Sequence, residues 1–135
     1  MRGKREEGKR VFISYAHEDD DLRQKLEQHL SLLRMQNLIQ IWHDQDINAG
    51  TEWEREINTY LKIADIVLLL ISPDFLASKY CYGIEMEYAM ERHERGEAHV
   101  IPIIMRPVHW QGTPFSKLQV LPTGAKAIQS LVGLI

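Results

Sequence analysis

Ile66-Val67-Leu68-Leu69-Leu70-Ile71-Ser72-Pro73-Asp74 is the stretch that decides the fold. Its first six residues are all apolar, so a strand built from them has no polar face to offer water. Such a strand is buried on both sides, as in a parallel sheet covered by helices. Ser72-Pro73-Asp74 ends it, because the residue before a proline is pushed out of continued regular structure and proline lacks a donor. Towards the N-terminus, Trp53, Ile57, Tyr60, Leu61 and Ala64 share one helical face, and Thr51 with Glu54 forms a capping box that opens it. Leu38-Ile39-Gln40-Ile41-Trp42 precedes that helix as a second strand, followed by the loop His43 to Gly50. Leu22, Leu26, Leu30 and Leu33 recur at helical spacing, and the acidic run Glu18-Asp19-Asp20 suits the start of that helix. Val11-Phe12-Ile13-Ser14-Tyr15 reads as the first strand.

Towards the C-terminus, a third helix is expected from about Ser78 to Glu94, with Cys81, Ile84 and Tyr88 facing inward. Val100-Ile101-Pro102-Ile103-Ile104 reads as a fourth strand. Pro102 cannot supply a ladder donor, which calls for an edge or a bulge there. A turn-rich loop spans Pro107 to Pro122, and Lys126-Ala127-Ile128 reads as a short fifth strand. Strands alternating with helices predict an α/β fold, a flavodoxin-like doubly wound parallel five-stranded sheet in the order 2-1-3-4-5 with helices on both faces. Sites in such sheets lie beyond the carboxyl ends of the strands. That directs the search to Tyr15–Asp20, His43–Thr51, Ser72–Ser78 and the loop after the fourth strand.

With 135 residues, 44% hydrophobic and 26% charged, the chain fits one ordinary domain with one core. A net charge of −3 from 19 acidic and 16 basic side chains carries no nucleic-acid footprint and no polybasic membrane anchor. Residues 1–9, with Arg2, Lys4, Arg5 and Lys9, are expected as a disordered basic terminus, and Arg10 as the last of that basic cluster before the first strand. The domain proper is expected over 10–130, with 131–135 a tail that stops before a final helix. The single cysteine, Cys81, permits no intrachain disulfide and favours a reducing compartment, hence a cytoplasmic location. The longest apolar run is too short to cross a bilayer.

Several chemistries are excluded at the strand ends. No Gly-rich loop follows the first strand, so neither a phosphate cradle nor a dinucleotide fingerprint is present. Cys81 has no cysteine partner for a structural zinc site. Glu18, Asp19 and Asp20 resemble the magnesium-holding acids of a phospho-acceptor domain, but that chemistry needs an aspartate where the third strand ends in Ser72. No metal is expected.

Taken together, the segments resemble the TIR (Toll/interleukin receptor) domain in its bacterial form. Val11 to Tyr15 is similar to the family's first strand with its F-I-S-Y motif. Trp42 to Gly50 is similar to the BB loop after the second strand. Leu69 to Ser78 is similar to the third strand and its exit, Cys81 to Met86 to the start of the third helix, and Val100 to Ile104 with Arg106 to the fourth strand. The similarity covers residues 10 to about 130. It implies two activities, cleavage of the nicotinamide–ribose bond of NAD by a single glutamate, or non-catalytic TIR–TIR adaptor interaction.

For the enzyme, the resemblance implies Glu85 as the catalytic residue. Phe12, Tyr15, Ala16, Trp42, Asp46, Ser72, Phe75 and Cys81 are then expected to contact substrate. For Phe12 and Trp42 a core position is an equally good reading. The BB loop, Asp44, Gln45, Asp46, Ile47, Asn48, Ala49 and Gly50, is implied to mediate self-association. Three departures from the family pattern stand out: Cys81 where enzymatic members often carry tryptophan, Ala49 where proline is common, and the absence of a final helix. NAD enters as substrate, with no bound cofactor. Implied partners are other TIR domains, in a homo-oligomer or filament, and further domains of a longer parent protein.

Overall fold

The computed structural model describes residues 8–43 and 59–122. The chain order is β1 (Lys9–Ser14), a 3-10 turn (His17–Asp19), α1 (Asp20–His29), α2 (Ser31–Met35), β2 (Ile39–His43), α3 (Thr59–Ile63), β3 (Ile66–Ile71), α4 (Pro73–Ala77), a π-helical segment (Lys79–Glu85) continuing into α5 (Met86–Glu94), β4 (His99–Ile104) and a 3-10 turn (Pro114–Lys117). The described strands form one parallel sheet in the order β2-β1-β3-β4. The expected order therefore holds for four strands rather than five; Lys126-Ala127-Ile128 lies outside the described residues. Among the described residues no helix is long and apolar enough to cross a membrane.

Side chains alternate between the two faces of the sheet, as the two-residue period of a strand requires. Phe12, Val67, Leu69, Ile71, Val100 and Ile104 join one buried cluster with Leu61, Phe75, Met86 and Ala89. Val11, Ile13, Tyr15, Leu68, Leu70, Ile103 and Met105 form the other, against Leu22, Leu26 and Leu30 of the α1 side. The all-apolar run Ile66–Ile71 is the shared middle of both clusters, and Val67 to Ile71 is buried throughout. β4 absorbs Pro102 without loss. Leu121 donates to the Pro102 carbonyl at 2.9 Å and accepts from Ile104 N–H at 2.8 Å, so the even-numbered backbone groups face outward, away from β3. The missing proline donor thus falls on the outer side of the strand, where the sheet tolerates it.

Three boundaries differ from expectation. Lys9, read as the end of the tail, and Arg10, read as lying just before the first strand, are the first residues of β1, and Arg10 N–H donates to the Asp65 carboxylate at 2.8 Å. Gly8 makes the strand's entry possible: its φ is +70°, and a Cβ there would lie 2.5 Å from the Asn37 carbonyl. The first helix breaks at Leu30, so Leu33 turns to solvent at 37% exposure instead of extending the buried stripe. In the third helix Ile84 and Tyr88 are half-buried, while Cys81, Glu85, Met86, Ala89 and Met90 face inward. The cause is the π turn, in which Met86 N–H bonds to the Cys81 carbonyl; one extra residue per turn rotates the buried stripe.

Candidate active site

The carboxyl ends of β1, β3 and β4 lie at one end of the parallel sheet, where Ser14, Ser72 and Arg106 are the polar side chains at their exits. Ser14, the last residue of β1, points to the same face as Phe12. Its hydroxyl donates to Oε1 of Glu85 at 2.6 Å, and both residues are 0% exposed. A carboxylate removed from water needs hydrogen bonds inside, and a short O–H···O⁻ contact is among the stronger ones. Glu85 is set in place by two serine caps in series. Ser72 caps α4 by accepting from Phe75 N–H at 3.1 Å, and Ser78 caps the π segment by accepting from Cys81 N–H at 3.0 Å. One turn before Glu85, the Cys81 thiol donates to the Tyr15 carbonyl at 3.3 Å. The helix start is therefore fastened to two consecutive residues of the β1 exit.

A second buried carboxylate lies nearby. Asp19, also fully buried, accepts from the Ser72 hydroxyl and from Arg106 Nε at 2.7 Å; Arg106 also pairs with Asp74. The Asp19 and Asp74 carboxylates beside it hold the Arg106 guanidinium above its ordinary pKa. This ring joins the exits of β1, β3 and β4. The acidic run after β1 is thus divided in use: Asp19 completes the ring, and Asp20 pairs with Arg23 at 2.6 Å.

Of the residues expected to meet substrate, Phe12, Ala16, Phe75 and Cys81 come together in the Glu85-side cluster, with Trp42 packed against it. Trp42 is the register partner of Phe12 and lies 4.6 Å, ring to ring, from Tyr60. Ser72 is buried and bonded to Asp19 and Phe75, so it braces the β3 exit. The ring of Tyr15 lies on the opposite face of the sheet: its hydroxyl donates to Asp20 at 3.1 Å, Arg23 stacks 5.3 Å from its centroid, and His43 meets it edge-on. The Tyr15 carbonyl reaches the Glu85 side, where it accepts from Cys81. Asp46 and the rest of 44–50 lie outside the described residues.

Sequence reasoning missed Ser14, Asp19 and Arg106 as a set. The available signal was that a parallel sheet gathers strand exits at one edge, where a lone arginine and two aspartates of opposite charge would meet. A cavity of about 390 Å³ lined by His93, His99, Val100 and Lys117 lies at the other end of β4. There His93 Nδ1 accepts from Val100 N–H at 3.2 Å, a bracing role at the amino end of the strand.

With this geometry in place, comparison with known proteins decides the family. A family model described as "TIR domain" matches residues 11–130. The chain belongs to the TIR domain family. This TIR domain is 52% identical over 118 residues to protein y4lF of Sinorhizobium fredii (strain NBRC 101917 / NGR234). That match takes in 87% of this chain but 36% of y4lF, so the TIR domain spans about a third of that relative. Among solved structures it is similar to the TIR domain of the Toll-related receptor TRR-2 from Hydra magnipapillata, with TM-score 0.65 and 18% identity over 92% of this chain and 89% of that one. It is also similar to the TIR domains of the activated Roq1 resistosome, with TM-score 0.53 and 22% identity over 75% of this chain and 60% of that one. At these identities the structural likeness speaks for the fold.

Proposed function

We propose that this TIR domain is an NAD nucleosidase that cleaves the nicotinamide–ribose bond, with Glu85 as its catalytic residue, and that self-association activates it in cytoplasmic signalling or defence. The observation that carries the reading is a glutamate, Glu85, with no exposed surface at the strand-exit edge, its carboxyl accepting from the Ser14 hydroxyl. A glutamate in that setting is costly to keep for packing alone.

The chemistry asks little else of the protein. In NAD the leaving group is a pyridinium that departs as neutral nicotinamide, so the general acid required in ordinary glycoside hydrolysis is unnecessary. What remains is to steady positive charge developing on the ribose and to hold the sugar in position. One carboxylate near the ribose hydroxyls does both, and more strongly where the local dielectric is low. Phe12, Ala16, Phe75 and Trp42 supply the apolar wall beside it, and Cys81 stands one turn away. NAD is the substrate, and the partners are other TIR domains and further domains of a longer protein.

A second reading, a non-catalytic TIR–TIR interaction module, draws on the same burial, since a carboxylate with no exposed surface touches no substrate as it stands. Incubating concentrated protein with NAD and measuring nicotinamide by chromatography separates the two. The enzyme reading expects release by wild type and none by Glu85→Ala. Equal release by both removes Glu85 from the chemistry, and no release under crowding, with self-association intact, leaves the interaction module.

A further inference from the structure

Glu85 meets two demands that conflict. A buried carboxylate must be hydrogen-bonded by the protein, whereas a reacting carboxylate must face its substrate. The Ser14 hydroxyl, 2.6 Å from Oε1, meets the first demand by occupying an oxygen needed for the second. The neighbouring contact, Cys81 thiol to Tyr15 carbonyl at 3.3 Å, ties the same helix start to the next residue of the β1 exit. We propose that these two contacts form a latch that stores Glu85 in a solvent-free position, so that uncovering the carboxylate is the controlled step of the reaction. The proposal rests on Glu85 being the reacting carboxylate, and its test separates the two ideas. The π segment gives the latch a way to open. Shedding its extra residue into the Ser78 turn converts it to α-helix and turns Glu85 about 100° around the axis, away from Ser14.

Cys81 is the only cysteine in the sequence and is 5% exposed, so its rate of modification by a small maleimide reports the opening. Ser14→Ala removes a donor from the carboxylate that the proposed reaction requires, while adding no bulk; circular dichroism and the unfolding midpoint establish that the variant is folded. At pH 8 it should label about tenfold faster than wild type, the size expected for a hydrogen bond to a charged group. Glu85→Gln keeps an acceptor for Ser14 without the charge, so it should label as slowly as wild type. Adding Ser14→Ala to that variant should then change the rate less than about twofold, because a neutral amide depends less on the donor. Unchanged labelling of Ser14→Ala, or equal acceleration in both backgrounds, overturns the latch.

The activity arm reads the same event. Ser14→Ala should raise basal nicotinamide release from NAD by about the same factor as labelling. Faster labelling with slower release makes Ser14 an orienting group for the reaction and overturns storage. Faster labelling with no release from wild type or variant keeps the latch and removes the NAD-cleaving reading.

Discussion

Glu85 and Asp19 are two buried acidic side chains at the same end of one sheet, each receiving a serine hydroxyl, and the elements that carry them differ. Asp19 is pinned by the Arg106 guanidinium, which Asp74 also holds. Glu85 is braced by the neutral hydroxyl of Ser14, on a helix that begins with a π turn. Moving Asp19 separates opposite charges inside the protein, which is strongly resisted. Moving Glu85 away from Ser14 breaks a hydrogen bond that water replaces. The difference suits the two acids to different work: Asp19 fixes the three strand exits, and Glu85 is the acid to which the proposed latch assigns movement.

The largest effect that tests this division falls on chemistry. Glu85→Gln should lower nicotinamide release about a thousandfold while leaving the unfolding midpoint near wild type, whereas Asp19→Asn should lower both. Next, Arg106→Ala leaves Asp19 buried without its cation and should cost about 3 kcal/mol in urea unfolding, the low end for a broken buried pair because Arg106 retains 27% side-chain exposure. A cost below about 1 kcal/mol would place Asp19 in the same class as Glu85. Ser72→Ala removes both a cap and a donor to Asp19 and should cost about 1–2 kcal/mol by the same measurement. The smallest effect lies away from the edge. The Arg10–Asp65 pair, with side chains 44% and 31% exposed, should contribute less than about 1 kcal/mol, read as Arg10→Gln against wild type.

Acid separates these roles further. Burial alone would raise the Asp65 carboxyl, but the Arg10 hydrogen bonds hold it below the usual carboxylate range; the Arg23 hydrogen bond does the same for Asp20. Depressed carboxyls stabilise the fold above their unfolded pKa and lose that contribution as pH falls through the lower folded value. Stability from these two groups should therefore be level from pH 7 to about 5 and decline below about pH 4, less steeply in Arg10→Gln.

The strands were legible because their signal is local. Ile66–Ile71 has no polar residue, and its double burial follows from that alone. Pro102 was legible as a constraint, and the structure meets it by aiming the missing donor outward. The helices were read less well where their period changed: the break at Leu30 freed Leu33, and the π turn moved the buried stripe from Ile84 and Tyr88 to Glu85 and Met86. Periodicity by itself read Glu85 as a solvated residue at the edge of the apolar face; the family resemblance, not spacing, singled it out. Its partner was beyond reach of any local pattern, since Ser14 lies 71 positions away and Arg106 lies 87 from Asp19. Tyr15 shows the converse. Its neighbours in sequence straddle the Glu85 face, yet strand alternation sends its ring to Arg23 and His43 on the other side.

The central claim, that Glu85 is a reacting carboxylate stored under cover until domains associate, is tested most directly by nicotinamide release from NAD across a wide range of protein concentration. The account predicts that release per molecule climbs with concentration in wild type and stays at background in Glu85→Gln throughout. Release per molecule that is constant with dilution, or equal in the two proteins, would contradict it.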